Sequence, residues 1–200
     1  MASPATTLRG ASVAAGIASQ FVLGPGGTAW APAPLSHLTL RANVGKATSL
    51  GVGVHHSRPF LSDATALFVG AESAGASGYR DELSLMAHVD VAFDVGAHVP
   101  AGERGVNVLP RIGFMGGVMF SDTQLAVASF DGMLPYRARA ISPLFGFGVG
   151  VEARAYQWLS VVPRIDAIVT VAADEHEVGG GERYDAEWRL SPGADVVVWF

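Results

Sequence analysis

Leu83-Ser-Leu-Met-Ala-His-Val-Asp-Val-Ala-Phe-Asp-Val95 is the stretch that decides the fold. Leu83, Leu85, Ala87, Val89, Val91, Phe93 and Val95 are apolar at every second place, with Ser84, Met86, His88, Asp90, Ala92 and Asp94 between them. A strand sends successive side chains to opposite faces, so this stretch has one greasy face and one wet face. Helical spacing fails here and period two succeeds. The stretch is also long. Strands of globular proteins run to about 5–6 residues, whereas a strand crossing a membrane at about 45° needs about 9–11.

Working outward, the same alternation marks seven more segments, at 10–23, 37–44, 49–55, 106–120, 141–154, 159–171 and 187–200. The connections between the eight run about 12, 4, 24, 10, 16, 3 and 12 residues, long and short in turn. Transmembrane barrels alternate in this way, with long outer loops and short periplasmic turns. The glycine-rich 24–27 and 179–181 are loop tips. No Lys-Ser/Thr follows either of them, so neither is a phosphate loop.

Composition narrows the choice. Hydrophobic residues make up 50% of the 200-residue chain and charged residues only 16%. Soluble domains carry about 25% charged residues. The mean hydropathy of +0.33 excludes a disordered chain. With 13 Lys+Arg against 18 Asp+Glu and no basic run, nucleic acid is excluded as a partner. No cysteine is present, so disulfides, thiolate metal sites and cysteine nucleophiles are excluded. No apolar run reaches the roughly 18 residues of a membrane helix. A chain this apolar either hides a large core or meets lipid in another form.

The wet face argues for lipid. It is rich in Gly, Ala and Ser. Seven acids (Glu82, Asp90, Asp94, Glu152, Asp166, Glu187, Asp195) and five arginines (Arg41, Arg111, Arg154, Arg164, Arg189) fall on it by parity. Small residues with near-balanced charge suit a narrow lumen filled by ion pairs, and about eight strands enclose a space side chains just fill. The apolar face has no charge through the middle of any strand, as lipid requires. A soluble ligand-binding barrel is the alternative from another class.

On this pattern the chain resembles the small eight-stranded outer-membrane β-barrels of Gram-negative bacteria, of the OmpA/OmpX type. The most specific piece is Ala194-Asp-Val-Val-Val-Trp-Phe200, which ends on an aromatic with apolar residues at alternate places. The stretch 143–156 also looks like a family strand running to an aromatic turn. The resemblance implies an all-β, eight-stranded antiparallel up-and-down transmembrane β-barrel over 1–200, integral to the bacterial outer membrane, with both ends periplasmic. It also implies that Val196, Val198 and Phe200 carry the signal read by the outer-membrane assembly machinery. Residues 1–10 are too short and polar for a signal peptide, so a mature chain with an added Met1 is expected. The rival reading makes 1–31 the signal, with Arg9 as its charge and Ala29-Trp30-Ala31 as its cleavage box, and leaves seven strands.

The expected function is a structural or surface-interaction role with a largely closed polar lumen. Arg41, Asp90, Asp94, Arg111, Glu152, Arg154, Arg164 and Asp166 are its expected ion pairs. The alternatives are a minor channel for small or hydrophobic solutes and a lipid A-modifying barrel enzyme. His55, Ser57 and Glu82 are the nearest approach to a catalytic set. Their His-x-Ser spacing is similar to that of lipid A deacylases, but there the motif sits on a later strand and faces lipid. No enzyme, metal or cofactor is expected. Of His37, His55, His56 and His88, only His55 and His88 are read as sharing a face on adjacent strands, at different heights. Arg137 and Arg139, at the loop end of strand six, and Arg58, at another loop end, fall on the apolar parity. There guanidinium groups meet lipopolysaccharide phosphates or simply solvent.

Overall fold

In the computed structural model, residues 10–23, 31–44, 47–60, 77–93, 107–129, 132–156, 158–174 and 183–200 are described. Eight strands follow in chain order: β1 (Ala11–Leu23), β2 (Ala33–Asn43), β3 (Thr48–Ser57), β4 (Ser77–Ala92), β5 (Asn107–Ser129), β6 (Gly132–Tyr156), β7 (Leu159–Asp174) and β8 (Arg183–Trp199). Each pairs antiparallel with the next, and β1 pairs with β8 (Val13↔Val198, Ile17↔Ala194), so the sheet closes on itself. Closure leaves no edge in the spanning wall, which suits a medium without water to bond free N–H and C=O groups. The stretch at 11–23, which the rival reading gave to a signal peptide, is a strand of this wall.

Parity works as the alternation requires. The apolar set points outward: Ile17 is 76% exposed and Phe145 62%, and Leu38, Val52, Leu85, Phe114, Val149 and Ile165 are exposed with them. The outward belt along β4 runs from Leu83 to Phe93, one residue past the end of the strand. At about 3.4 Å per residue and a tilt of about 35–45°, those ten steps span about 24–28 Å, matching the apolar band of about 25 Å on transmembrane barrels. Aromatic residues mark both margins. Tyr156 and Trp158 stack at 5.7 Å at the short-turn end, and Trp188 stands exposed toward the other. Among the described residues no helix is long and apolar enough to cross a membrane; the apolar girdle is carried by strands.

Three expectations need correction. The connection of about 16 residues between strands five and six is no loop. β5 and β6 run on as a paired ribbon to Ser129↔Gly132, where Gly132 takes a φ of +117°, a conformation that favours glycine. Arg137 and Arg139 therefore lie within β6. The reason is chemical: beyond the lipid, neither face must be apolar, so a sequence such as Ser121-Asp-Thr-Gln124 is a strand without alternation. β4 likewise begins at Ser77, six residues before its alternation starts. By contrast, β6 is zipped to β7 only as far as Leu144↔Thr170.

Candidate functional site

The lumen is built from the inward parity, and it is crowded. At the short-turn end, Arg111 Nε lies 2.8 Å from Glu152, and Arg154 Nη2 donates to the same carboxylate at 2.8 Å. Ser160 adds a third donor at 2.6 Å, and its oxygen accepts from Trp199 Nε1 at 2.8 Å. Arg111 and Arg154 both lie over the Trp199 ring. The side chain of this tryptophan thus plugs the end of the barrel, and its neighbours Val196, Val198 and Phe200 fall on the outward parity.

One layer up, Asp195 is fully buried and gathers three cations or donors: His37 at 2.6 Å, Arg164 at 3.0 Å and Arg41 at 3.4 Å. Arg41 also reaches Asp90 at 3.3 Å, and Arg164 donates twice to Asp166, at 3.0 and 2.7 Å. Toward the loops, Arg80 pairs with Glu82 and Glu187, and Arg189 pairs with the same two acids. Asp94 lies outside the described residues. Every other charge assigned to the lumen by parity is in an ion pair.

Glycine makes the crowding possible. Several of the charged side chains lie beside a glycine on a neighbouring strand: Asp195 by Gly16, Asp90 by Gly113, Asp166 by Gly148, Arg41 by Gly51 and Arg164 by Gly150. A Cβ at Gly148 would come within 2.1 Å of the Asp166 carboxylate, and one at Gly113 within 2.5 Å of Asp90. The glycine-rich wet face is therefore the space in which the ion pairs sit.

The lumen is not polar throughout. Met86, Met115, Met119, Leu144 and Ile168 form a buried apolar layer between the Asp195 group and the Arg80–Arg189 group. Met86 and Met115 stand on the wet face in the sequence, but their layering needs the register. Arg80 was also missed, because the alternation begins three residues after it.

The three inward histidines form a ladder, with ring centroids 4.9 Å apart for His37 and His55 and 5.8 Å for His55 and His88. This corrects the reading that His37 stands apart. It pairs directly across the strand with His55, each nine residues from position 46. His56 points outward. No hydrolytic relay is assembled: Ser57 donates to Glu82 at 2.8 Å, and neither ring nitrogen of His55 has a hydrogen-bond partner among the described residues. Glu82 is instead held by Arg80 and Arg189.

The outer wall carries the second cluster. Arg137 donates from Nε (2.9 Å) and Nη2 to the two oxygens of Asp122, and Arg139 Nε lies 3.5 Å from the same carboxylate. The hydrogen bonds from Arg137 hold the Asp122 carboxyl below its ordinary range. Arg58 reaches Asp81 at 3.5 Å and lies 3.7 Å over the Tyr79 ring.

No protein-family model matches the sequence, and no curated protein matches it. Solved structures do. Neisserial surface protein A superposes with a TM-score of 0.59 at 14% identity, over 95% of this chain and 97% of that one. A major outer membrane protein from Thermus thermophilus gives 0.51 at 17% identity, over 95% and 99%. The fold is that of the eight-stranded transmembrane β-barrels. At these identities the likeness is one of fold, and the barrel's role has to be argued from its own residues.

Proposed function

We propose that the chain is an integral outer-membrane barrel of the Gram-negative cell envelope, without enzymatic activity, serving as a structural or surface-interaction protein. One observation carries this reading: a closed wall that is greasy outside and filled inside by interlocked ion pairs. A continuous exposed apolar girdle of bilayer height has no soluble use. A lumen filled by mutually neutralised charge leaves little for a substrate or ion to enter, which turns attention to the outer wall and the loops.

Two further elements belong to the proposal. The last strand, with Val196, Val198 and Phe200 outward, serves as the segment read by the assembly machinery. The bilayer lipids are the partners of the apolar girdle. A second reading, a minor path for hydrophobic solutes, draws on the layer of Met86, Met115 and Met119, since unbranched thioether side chains rearrange easily.

The test is direct. The protein is expressed with its envelope fraction washed in carbonate, then examined for a heat-dependent gel shift and for conductance in a planar bilayer. Retention in the membrane pellet, a shift on boiling and no steady conductance are expected. Release by carbonate would overturn the membrane placement, and steady conductance would promote the channel reading. Unchanged lipid A mass on expression is the expected outcome for a barrel without enzymatic activity.

A further inference from the structure

The outer wall has a groove of about 520 Å³ across β3, β4, β5 and β6. That is within the range of about 300–1,000 Å³ typical of ligand clefts. The strand register explains its chemistry. His56 pairs with Leu83, Leu83 with Phe120, and Phe120 with Ile141, so these four form one outward row. Two residues further toward the loops, Asp81, Asp122 and Arg139 form the next outward row. The first row is the last one of the apolar belt. The second is the first charged row on this side of the barrel. The groove therefore straddles the line where hydrocarbon gives way to headgroups.

Its charge is biased. The outward cluster holds Arg58, Arg137 and Arg139 against Asp81 and Asp122, with His56 beside Asp81 at 3.9 Å. Arg137 saturates Asp122 through two bonds. Arg139 keeps only the 3.5 Å contact, and its side chain is 72% exposed. Its guanidinium thus presents most of its donors outward, directly above an apolar floor. A planar fork of this kind binds phosphate bidentately.

We propose that this groove binds one phosphorylated, acylated glycolipid of the outer leaflet, of the lipid A class. An acyl chain lies along Leu83, Phe120 and Ile141, and a phosphate sits on Arg139, with Arg58 and Arg137 flanking it. The proposal rests on the outer-membrane reading above and names a ligand for that barrel. Asp122 has a defined part: it holds both β6 arginines and competes with the phosphate for them.

The full chain is refolded in detergent and mixed with bisphosphorylated lipid A, with the same lipid after phosphate removal, or with phosphatidylglycerol. Bound lipid is counted by native mass spectrometry. One retained lipid A per barrel is expected, with both other lipids retained less. Arg139→Gln should lower retention about tenfold, the scale of one lost charge-assisted interaction. Asp122→Asn should retain lipid A at least as well as the unmodified protein, because it releases the arginines. If both variants weaken retention alike, the cluster only clamps the β5–β6 ribbon and the proposal falls. Equal retention of phosphatidylglycerol or of phosphate-free lipid also overturns it. Failure of the barrel to show a heat-dependent gel shift would instead overturn the membrane reading on which it rests.

Discussion

Arg164 is the side chain whose removal tests the filled lumen most sharply. It donates twice to Asp166, at 3.0 and 2.7 Å, and once to Asp195, at 3.0 Å. All three side chains are nearly sealed from solvent. In Arg164→Met, Asp195 keeps His37 and Arg41, whereas Asp166 keeps no ion-pair partner among the described residues. Breaking a buried pair by removing one partner costs about 3–5 kcal/mol, mostly from the stranded charge. With a urea slope of about 2 kcal/mol/M, the unfolding midpoint should fall by about 1.5–2.5 M. The assay is reversible urea unfolding in zwitterionic lipid, followed by tryptophan fluorescence and the heat-dependent gel shift. Adding Asp166→Asn to Arg164→Met removes the stranded charge and should recover more than half of the loss, because a buried pair and its neutral replacement differ little. A single-variant loss below about 1 kcal/mol, typical of exposed pairs, would refute a sealed, ion-paired lumen. A double variant less stable than the single one would refute the stranded-charge argument.

Other outcomes follow from the same geometry. Val89→Arg and Phe147→Arg place a charge near the middle of the apolar belt, at a cost of about 2–4 kcal/mol each, and should abolish the heat-dependent gel shift; normal assembly of both would deny the lipid contact. Gly148→Ala puts a methyl into the Asp166 carboxylate and should cost about 1–3 kcal/mol as an overpacking change, read as a lower urea midpoint. Deleting Phe200, which is exposed and bonded to the chain through its backbone N–H to Ala11 at 2.9 Å, should slow surface accumulation in cells more than refolding in detergent. The Asp122 carboxyl should titrate below the ordinary carboxylate range by NMR, and Arg137→Gln should raise it. Because that acidity is higher in the folded chain, the pairing supports the ribbon at neutral pH and is lost as pH falls through the depressed value.

The spanning wall was legible in the sequence because lipid imposes a rule on every second residue. Leu83 to Val91 obey it without exception, and each of the eight segments maps onto an observed strand. The ribbon was not legible. Between Ser121 and Arg139 no solvent demands alternation, so the backbone pairs without leaving a pattern. The lumen was legible by parity and opaque by register. Parity puts Arg41, Arg111 and Arg164 on the inward face, where their side chains are nearly sealed, but which acid each meets depends on strand stagger, which side-chain types do not encode. The exception is the β2–β3 hairpin. Its register is symmetric about position 46, and counting nine residues to either side would have brought His37 onto His55. The groove was hidden for the same reason as the ion pairs: Leu83, Phe120 and Ile141 are ordinary belt residues until three paired strands set them in one row.

The glycines connect the closed interior to the role of the outer wall. A narrow eight-stranded barrel has to fill its interior, and a filling of branched apolar side chains would be the simpler solution. This chain instead sets a glycine beside several of its charged residues, accepting the entropy that glycine loses in a strand. Charges packed this tightly have few alternative partners at the right distance, so the wall is held in one register and one shape. Side chains outside inherit that precision. Arg139 and Phe120 keep their rows because Ser121 and Ala140, one residue inward on each strand, are fixed in the same ladder. A cylinder filled in this way is a poor conduit and a good platform. Its interior supplies stiffness, and the residues left to recognise anything are those at the upper margin of its apolar belt and beyond.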